Sequence, residues 1–365
     1  MGLGIGALEN VAVKPGFWRN KSVFLTGHTG FKGGWLALWL QRAGAHVHGY
    51  SLEPPTTPNL FSAANVAQGL ASHTLADVRD AQQLKQAVAA AAPEIVFHLA
   101  AQPLVRHSYE DPVETYAVNV LGTVHLLEAV RACSTARAVV NVTTDKCYDN
   151  RGDDRAYREG DPLGGDDPYS SSKAAAELVT HAYRRSFMAQ AGVGLASARA
   201  GNVIGGGDWA VDRLVPDLLR ASDRGQPLQV RNPAATRPWQ HVLEPLSGYL
   251  TLAERLFEDP VDTARAWNFG PDADDARPVG WMVEQLSARL SGTEWRRDER
   301  AGPHEAARLQ LDSSRARAAL GWQPRWSLAQ ALDRTVAWHV AWRRGEAMRA
   351  VCIEQIADYE GAVAA

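Results

Sequence analysis

The amino-acid sequence predicts an α/β fold built on a doubly wound parallel sheet, with a smaller C-terminal substrate-binding lobe. Two observations carry this prediction. Short apolar runs alternate with helix-length stretches through roughly the first 200 residues, and parallel strands require crossover helices to cover both faces of their sheet. A glycine-rich turn also follows the first apolar run directly. This combination is typical of the Rossmann-type arrangement, in which ligands bind beyond the carboxyl ends of the strands.

Each predicted element follows from its hydrophobic pattern. Short continuous apolar runs indicate buried strands, and longer stretches that end in glycine or follow a proline indicate helices. Past Gly205 the pattern fades into loops rich in Gly, Pro, Trp and Asp, which predicts a lobe completed by several short segments. The predicted strands are 22–26, 45–50, 94–100, 138–143 and 194–199, and the predicted helices are 35–44, 81–92, 112–132 and 169–188.

Composition excludes several classes of function. Of the 365 residues 45% are hydrophobic, and 38 Lys+Arg against 41 Asp+Glu give a net charge of -3. This near balance gives no electrostatic case for binding nucleic acid or an anionic membrane. Cys133, Cys147 and Cys352 are odd in number and lack metal-ligand spacing, so we expect no disulfide framework, no metal site and a reducing cytoplasm. No stretch approaches the roughly 18 apolar residues of a membrane span.

The glycine-rich turn lies between the first predicted strand and the first helix. There, bare backbone N–H groups and the positive end of the helix can hold a pyrophosphate. The spacing is G-x-x-G-x-x-G rather than the more usual G-x-G-x-x-G, and a tight structural turn is the alternative interpretation. The candidate cofactor-binding residues in this turn are Gly27, Thr29, Gly30, Phe31, Lys32 and Gly33.

Further cofactor-binding candidates follow the next strands. An acid at the end of the second strand would bind the ribose hydroxyls and select NAD, but Ser51 occupies that position and Glu53 comes two residues later. NAD is therefore only moderately favoured over NADP by these residues. Asp77 and Val78 can flank an adenine, with surface acidity as the alternative. Small side chains that let a flat cofactor approach the backbone predict contacts from Ala100, Ala101 and Gln102.

Tyr169 and Lys173 form the first candidate catalytic pair. They are four residues apart at the start of a predicted helix, after Asp167-Pro168, and therefore share one face. An ammonium near a phenol, with a positively charged nicotinamide beside it, would lower the phenol's pKa towards neutrality, so that Tyr169 could remove a hydroxyl proton. Thr144 ends the preceding strand, where its hydroxyl can align the reacting oxygen.

Asp145 and Lys146 come directly after that threonine. A simple alcohol dehydrogenase has no need of this extra acid and base, but an elimination of water does. Once C4 of a hexose is a ketone, a base can take the C5 proton while an acid protonates the departing C6 hydroxyl. We assign Lys146 as the base and Asp145 as the acid; a structural ion pair at a strand end is the alternative.

These residues resemble the extended short-chain dehydrogenases/reductases and, within that superfamily of NAD-dependent epimerases and dehydratases, the CDP-glucose 4,6-dehydratases. In the sibling dTDP-glucose dehydratases a glutamate stands where this chain has Lys146, whereas the CDP-sugar branch has lysine. The resemblance runs from about Phe17 to about Trp342. Its segments are Gly27 to Gly33, Ala100 to Val105, Thr144 to Asn150, Asp167 to Ser170, Arg199 to Trp209, Arg237 to Leu246 and Trp267 to Gly270.

The resemblance implies a domain organisation and a set of partners. Residues 17–200 would form an NAD-binding Rossmann domain to which later segments can return, and residues 201–345 would mainly form a sugar-nucleotide-binding lobe. It implies bound NAD and a homodimer built from the helices 112–132 and 169–188. The substrate-binding residues that it implies are Asn202, Asp208, Trp209, Arg213, Arg231, Arg237 and Asn268, of which Arg237 and Asn268 would bind phosphate.

The resemblance also implies an activity and a role. CDP-D-glucose would be oxidised transiently at C4 by NAD, lose water across C5 and C6, and regain the hydride at C6 to give CDP-4-dehydro-6-deoxy-D-glucose. Deoxysugar assembly for surface polysaccharide is the pathway class we expect. Two alternatives stay open: a nucleotide-sugar 4-epimerase, which would not need Asp145 and Lys146, and a regulator that binds both ligands without turnover.

Overall fold

In the computed structural model, residues 13–14, 16–150, 152, 155–290, 293–298 and 308–362 are described. The strands are β1 (Ser22–Thr26), β2 (His46–Ser51), β3 (Ser72–Leu75), β4 (Ile95–His98), β5 (Ala138–Val142), β6 (Gly194–Ala200), β7 (Asn202–Ile204), β8 (Leu228–Val230), β9 (Thr236–His241), β10 (Ala266–Phe269), β11 (Ala276–Pro278) and β12 (Trp295–Arg297). The α-helices are α1 (Phe31–Arg42), α2 (Leu60–Ala63), α3 (Ala81–Ala91), α4 (Val105–Glu110), α5 (Pro112–Tyr116), α6 (Gly122–Arg131), α7 (Pro168–Tyr183), α8 (Leu214–Arg224), α9 (Leu243–Glu258), α10 (Val279–Arg289), α11 (Ser314–Leu320), α12 (Leu328–Arg343) and α13 (Met348–Gly361).

Seven strands form the central sheet, in the order β10-β6-β5-β4-β1-β2-β3. Every pairing in it is parallel. Apolar residues of α1, α9 and α13 cover one face, and those of α3 and α6 cover the other. The Rossmann-type doubly wound sheet predicted from the sequence is therefore confirmed, and it directs the carboxyl ends of β1, β4, β5 and β6 towards one edge.

The predicted elements and the observed ones differ mainly at their ends. The first helix begins at Phe31 rather than at Trp35 because the glycine turn itself leads into it, with Gly30 as N-cap. The predicted helix 112–132 is α5 and α6 joined by a π-helical turn, Ala117–Leu121, and the predicted helix 169–188 is α7 followed by the π-helical turn Arg184–Met188. A hydrophobic pattern cannot place such a one-residue change in helical winding.

The second half of the chain contributes to both lobes. Helix α9 packs on β5 and β6, and β10 pairs with β6 at the edge of the central sheet. The smaller lobe holds a three-stranded sheet, β11-β9-β7, and a two-stranded one, β12-β8. Its core includes Leu218, Trp239, Met282 and Leu332. Among the described residues no helix combines the length and the apolar character that crossing a membrane requires.

Candidate active site

A cavity of about 780 Å³ lies between the carboxyl edge of the central sheet and the smaller lobe. It is bounded by the glycine-rich turn Gly27 to Gly33 (the phosphate turn), the end of β5, the start of α7 and the segments around β7 to β9. Of the residues predicted from the sequence, the following line it: Gly27, Thr29, Gly30, Phe31, Lys32, Gly33, Ser51, Asp77, Val78, Ala100, Ala101, Thr144, Asp145, Lys146, Tyr169, Lys173, Asn202, Asp208, Trp209, Arg213, Arg231 and Arg237. Gln102 and Asn268 do not.

The glycine turn has the geometry of a dinucleotide site. Gly27 has a φ of 77°, and a Cβ there would lie 2.7 Å from the backbone nitrogen of Ala100. A Cβ on Gly33 would lie 2.0 Å from the Gly27 carbonyl oxygen. Helix α1 has no acidic residue in its first turn and no side chain capping its N–H groups. Free N–H donors at a positive helix end fit a pyrophosphate.

The ends of β2 and β3 approach this turn from one side. The Thr29 hydroxyl lies 2.7 Å from that of Ser51 and donates a hydrogen bond to the Leu52 carbonyl at 2.9 Å. Glu53 is exposed and also lines the cavity, so a carboxylate is available near the position where Ser51 replaces the usual acid. The Asp77 carboxylate accepts two hydrogen bonds from the Arg79 guanidinium, at 2.8 and 2.6 Å.

Tyr169 and Lys173 occupy the first turns of α7, which begins with Pro168 and is capped by the Asp167 side chain. Both are buried, and the phenol is within hydrogen-bonding reach of Thr144. The Lys173 ammonium donates to the Val142 carbonyl at 3.3 Å. The α7 register therefore presents the two side chains to the cavity as their spacing predicted.

The protein's own groups by themselves do not lower the pKa of Tyr169; the expectation that Lys173 and a nicotinamide lower it together stays a prediction. Burial raises the pKa of Tyr169 to about 12, and although hydrogen bonding to Thr144 lowers it, Asp145 raises it further. Lys173, the expected source of the lowering, donates to a backbone carbonyl, and burial lowers its own pKa to about 8. Desolvation thus outweighs the cationic neighbour when the phenol is this deeply enclosed.

Asp145 and Lys146 begin a short 3₁₀ turn, Asp145–Cys147, directly after β5. Thr144 holds this turn, because its hydroxyl accepts from the Lys146 N–H at 3.3 Å and donates to Asp145 Oδ1 at 2.9 Å. Asp145 is 2% exposed, and its Oδ2 has no hydrogen-bond partner among the described residues. Burial raises the pKa of Asp145, opposed by the Lys146 and Arg237 charges and the Thr144 hydrogen bond.

The smaller lobe contributes a cationic wall. Asp208 and Arg213 form an ion pair at 2.9 Å, and Arg231 lies 3.4 Å from Asp212. Arg237 is 6% exposed, and one of its N–H groups donates to the Thr236 carbonyl at 3.0 Å. The other implied residues of this wall are Asn202, on β7, and Trp209, whose ring contacts Trp338 and Trp342 edge-on.

Two expectations from the sequence need correction. Asn268 is fully buried outside the cavity, where its amide donates to the carbonyls of Tyr157 and Asp312 and its oxygen accepts from the Tyr148 hydroxyl. No donor is left for a phosphate. The side chain of Gln102 donates to Thr115 and accepts from the Leu104 N–H, which fastens the loop after β4 instead of facing a cofactor.

Sequence reasoning missed Arg106. It lies at the start of α4, lines the cavity, and has a buried Nε without a hydrogen-bond partner among the described residues. Its guanidinium lies 3.4 Å from Asp212, which it shares with Arg231. The signal was its place just beyond the carboxyl end of β4, where residues of such folds meet ligands.

Comparison with known proteins places this site in a family. The family model described as GDP-mannose 4,6 dehydratase matches residues 24–335. The CDP-glucose 4,6-dehydratase of Salmonella typhimurium is 53% identical over 357 residues, covering 96% of this chain and 99% of that one. The chain belongs to the nucleotide-sugar 4,6-dehydratase family.

Solved structures share the fold of this chain. MoeE5 in complex with UDP-glucuronic acid and NAD is 26% identical, with a TM-score of 0.73 over 88% of this chain and 99% of that one. The dTDP-glucose 4,6-dehydratase from Bacillus anthracis, in complex with NAD, shares the fold at 21% identity, with a TM-score of 0.72 over 89% and 98%. The fold described above is therefore shared with these two proteins.

Proposed function

We propose that this dehydratase converts CDP-D-glucose to CDP-4-dehydro-6-deoxy-D-glucose and water with NAD as its cofactor. The observation that carries the proposal is the presence of Asp145 and Lys146 in the same cavity as Tyr169 and Lys173. An oxidation alone needs only the second pair, whereas an elimination also needs an acid and a base. The 53% identity to a CDP-glucose 4,6-dehydratase supports both the reaction and the nucleotide.

The residues fit NAD at the phosphate turn and along the ends of β2 and β3. Backbone N–H groups from Gly30 to Gly33 would hold the pyrophosphate, and Ser51 and Glu53 would face the adenosine ribose. Asp77 and Val78 would flank the adenine, and Ala100 and Ala101 would let the dinucleotide approach β4. When bound, NAD supplies the redox chemistry by accepting a hydride from C4 and returning it to C6.

The C4 hydroxyl reacts beside Tyr169, Thr144 and Lys173. The Thr144 hydroxyl orients the sugar oxygen towards the phenol, and Tyr169 takes its proton as C4 is oxidised. Because burial raises the pKa of Tyr169 to about 12, the protein depends on positive charge beside the phenol to stabilise the phenolate. The cationic ring of the oxidised cofactor and the nearby Arg213, which lowers this pKa, are the sources that we assign.

Asp145 and Lys146 carry out the elimination. The Lys146 amine takes the proton from C5, and the protonated Asp145 gives its proton to the C6 hydroxyl, which leaves as water. The burial that raises the pKa of Asp145 favours this protonated form. The cationic wall, with Arg213, Arg231 and Arg237 and with the adjoining Asn202, Asp208 and Trp209, would bind the diphosphate and the nucleoside.

The experiment is to incubate the purified protein with CDP-glucose and no added oxidant. We expect a 4-keto sugar nucleotide that absorbs in alkali and has lost one water by mass spectrometry. A panel of dTDP-, UDP- and GDP-glucose tests the nucleotide preference. A product that retains its C6 hydroxyl with inverted C4 would indicate a 4-epimerase instead, and bound ligands without any product would indicate a regulator.

We also propose that the protein is a cytoplasmic homodimer that serves deoxysugar assembly for surface polysaccharide. Support for the dimer comes from large apolar side chains exposed on two long helical segments, namely Val113, Tyr116, Leu121, Leu178 and Phe187. Cys133, Cys147 and Cys352 are all free, which fits a reducing compartment. Sedimentation velocity tests the dimer: a single monomeric species at micromolar concentration would contradict it.

A further inference from the structure

A second cavity, of about 640 Å³, lies between the C-terminal half of α7 and the edge of the central sheet that β6 and β10 form. Among the residues that the structure describes, it has no lining residue in common with the active-site cavity. The segment 159–163 and the loop between α9 and β10 complete its lining. Its volume falls within the range of small-molecule sites, about 300 to 1,000 Å³.

Arginine side chains dominate the charge of this second cavity. Five arginines line it, against three carboxylates. Each of the three carboxylates already faces a guanidinium group, so none is available to the remaining cations. The pairs are Glu177 with Arg199 at 2.8 Å, Asp161 with Arg155 at 2.8 Å and Glu159 with Arg315 at 3.5 Å.

The remaining arginines are Arg184, Arg185 and Arg265. In the part of the chain that the structure describes, none of their guanidinium groups forms an ion pair with a carboxylate. Arg184 is partly buried, and burial together with the charges of Arg199 and Arg265 lowers the pKa of its guanidinium. Cations held together in this way repel one another, and an anion placed among them would relieve that repulsion.

Two separate elements bring these arginines to the cavity. Arg184 and Arg185 begin the π-helical turn Arg184–Met188 that follows α7, and the Arg184 guanidinium lies 3.5 Å from the ring of His181 one turn earlier. Such turns are rare and occur frequently at functional sites. Arg265 directly precedes β10. The cavity therefore gathers planar, forked donors, whose geometry matches the oxygens of a phosphate group.

We propose that this cavity is a second ligand site, which binds a phosphorylated small molecule with its phosphate against Arg184, Arg185 and Arg265. A phosphate monoester carries a charge of about -1.5 to -2 at pH 7, and it neutralises the cluster better than a carboxylate would. Val261 and Ala264 form part of the apolar wall that the organic portion of the ligand would contact. The site does not depend on the proposed dehydratase reaction.

The test is calorimetric titration of the NAD-loaded protein with inorganic pyrophosphate, at fixed ionic strength. Because the cationic wall of the active site also attracts phosphates, the parent should show two classes of binding site. The double variant Arg184→Gln, Arg265→Gln should weaken one class by about 10- to 100-fold, as expected for the loss of hydrogen bonds to a charged group, and should keep the other. Arg237→Ala, in the active site, should do the reverse.

Controls separate phosphate binding from general effects of charge and folding. Arg289→Gln is the matched control, since Arg289 pairs with Asp333 outside both cavities, and its titration should equal that of the parent. Arg184→Lys, which keeps the charge but not the fork, should bind pyrophosphate with intermediate affinity. Pyrophosphate should raise the free energy of unfolding more in the parent than in the double variant, because a ligand stabilises only the protein that binds it.

The nature of the organic portion is tested with CMP. Tighter binding of CMP than of inorganic phosphate at this site, measured in Arg237→Ala to suppress the active site, would indicate a nucleotide ligand. Equal affinities would indicate that the phosphate group alone is recognised. Both results support a phosphate site.

Three results would overturn the inference. One is equal pyrophosphate affinity in the parent and in the double variant. Another is a single class of binding in the parent that Arg237→Ala abolishes completely. The third is a double variant that sediments differently while it binds pyrophosphate normally, because carboxylates of a second copy of the chain would then be the partners of these arginines. If the double variant does not fold, Arg265→Gln alone decides, since Arg265 is exposed, and an unchanged affinity refutes the site. No titration requires turnover, so failure of the proposed function is detected separately.

Discussion

Two buried carboxylates, Asp145 and Glu177, lie close together and are treated in opposite ways. Glu177 lies one turn beyond Lys173 on α7 and is 3% exposed. Its oxygens accept from the hydroxyls of Thr143 at 2.5 Å and Ser197 at 2.6 Å, and twice from Arg199, at 2.9 and 2.8 Å. Asp145, at 2% exposure, accepts from Thr144 and keeps Oδ2 unpartnered.

The difference in hydrogen-bond and ion-pair partners shifts the pKa values of the two carboxyl groups in opposite directions. For Glu177, burial favours the neutral acid but is outweighed by the Arg199 guanidinium, which lowers its pKa. For Asp145, burial prevails and raises the pKa. A carboxylate whose oxygens all accept hydrogen bonds stabilises the fold, whereas one with an oxygen lacking a partner is available for proton transfer. Burial by itself therefore distinguishes neither role.

The largest expected effect is on turnover. Asp145→Asn should reduce it by about 100- to 10,000-fold, because the general acid is lost while the geometry is kept. Reduced cofactor should accumulate in single-turnover absorbance measurements, and the free energy of unfolding should not fall. Tyr169→Phe is the control: it should lose as much turnover without accumulating reduced cofactor. Equal loss of oxidation and elimination in Asp145→Asn would contradict the role of Asp145 as the acid of the elimination step.

Glu177→Gln should instead destabilise the fold. Removing one member of a buried ion pair leaves Arg199 without compensation and typically costs about 3 to 5 kcal/mol. Urea unfolding measures this loss. The double variant Glu177→Gln, Arg199→Met should recover a large part of it, because it removes the stranded charge. A stable Glu177→Gln protein with slow elimination would mean that the two carboxylates share a catalytic role.

Asn268 tests whether a side chain buried outside the cavity contributes to substrate binding. Asn268→Ala leaves the buried carbonyls of Tyr157 and Asp312 without their donor, which should cost about 1 to 3 kcal/mol of unfolding free energy. The KM for CDP-glucose should stay at its original value, since the side chain lies outside the cavity. Arg237→Ala, whose guanidinium faces the cavity, should raise KM. A raised KM in Asn268→Ala would restore the phosphate role.

A third buried carboxyl group, Glu244, extends the comparison to the pH dependence of the unfolding free energy. Burial raises its pKa to about 7 from 4.5, although the Tyr359 hydroxyl and two backbone N–H groups donate to it. A raised folded-state pKa gives stability that is present below the unfolded value and is lost as pH rises. From about pH 4.5 to 7 it should contribute a fall of about 1.4 kcal/mol per pH unit in unfolding free energy.

Glu254 behaves alike, with burial raising its pKa to about 7, so the two slopes add. Glu244→Gln should therefore remove about half of the combined slope, and the matched Glu254→Gln the other half. Urea titrations at several pH values measure it. A slope between pH 5 and 7 that is the same in the parent and in both variants would show that these carboxyls are already ionised in the folded state.

The residues of the Rossmann half could be placed from the sequence because their spacing determines their geometry. Because Tyr169 and Lys173 are four residues apart, they share a helix face wherever α7 begins. The glycine turn likewise must lie where β1 ends. The apolar runs of β1, β2, β4, β5 and β6 are likewise local signals. Asn268 and Gln102 show where such reasoning ends, because the partners that engage them come from distant segments and only tertiary packing brings these together.

The raised pKa of Tyr169 could not be anticipated for a related reason. The expected value counted Lys173 and a nicotinamide charge but not the desolvation caused by the whole cavity wall. Arg106 was not found because its part in the site depends on the fold bringing α4 against Asp212. Its place beyond the carboxyl end of β4 was the signal that the sequence offered.

The return of α9 and β10 to the central sheet makes the two lobes inseparable. A fragment that stopped after β6 would leave that strand's hydrogen-bonding edge open and strip the apolar cover from one face of the sheet. Exposed edges of this kind recruit other chains. The two sides of the cavity consequently depend on segments that must fold together.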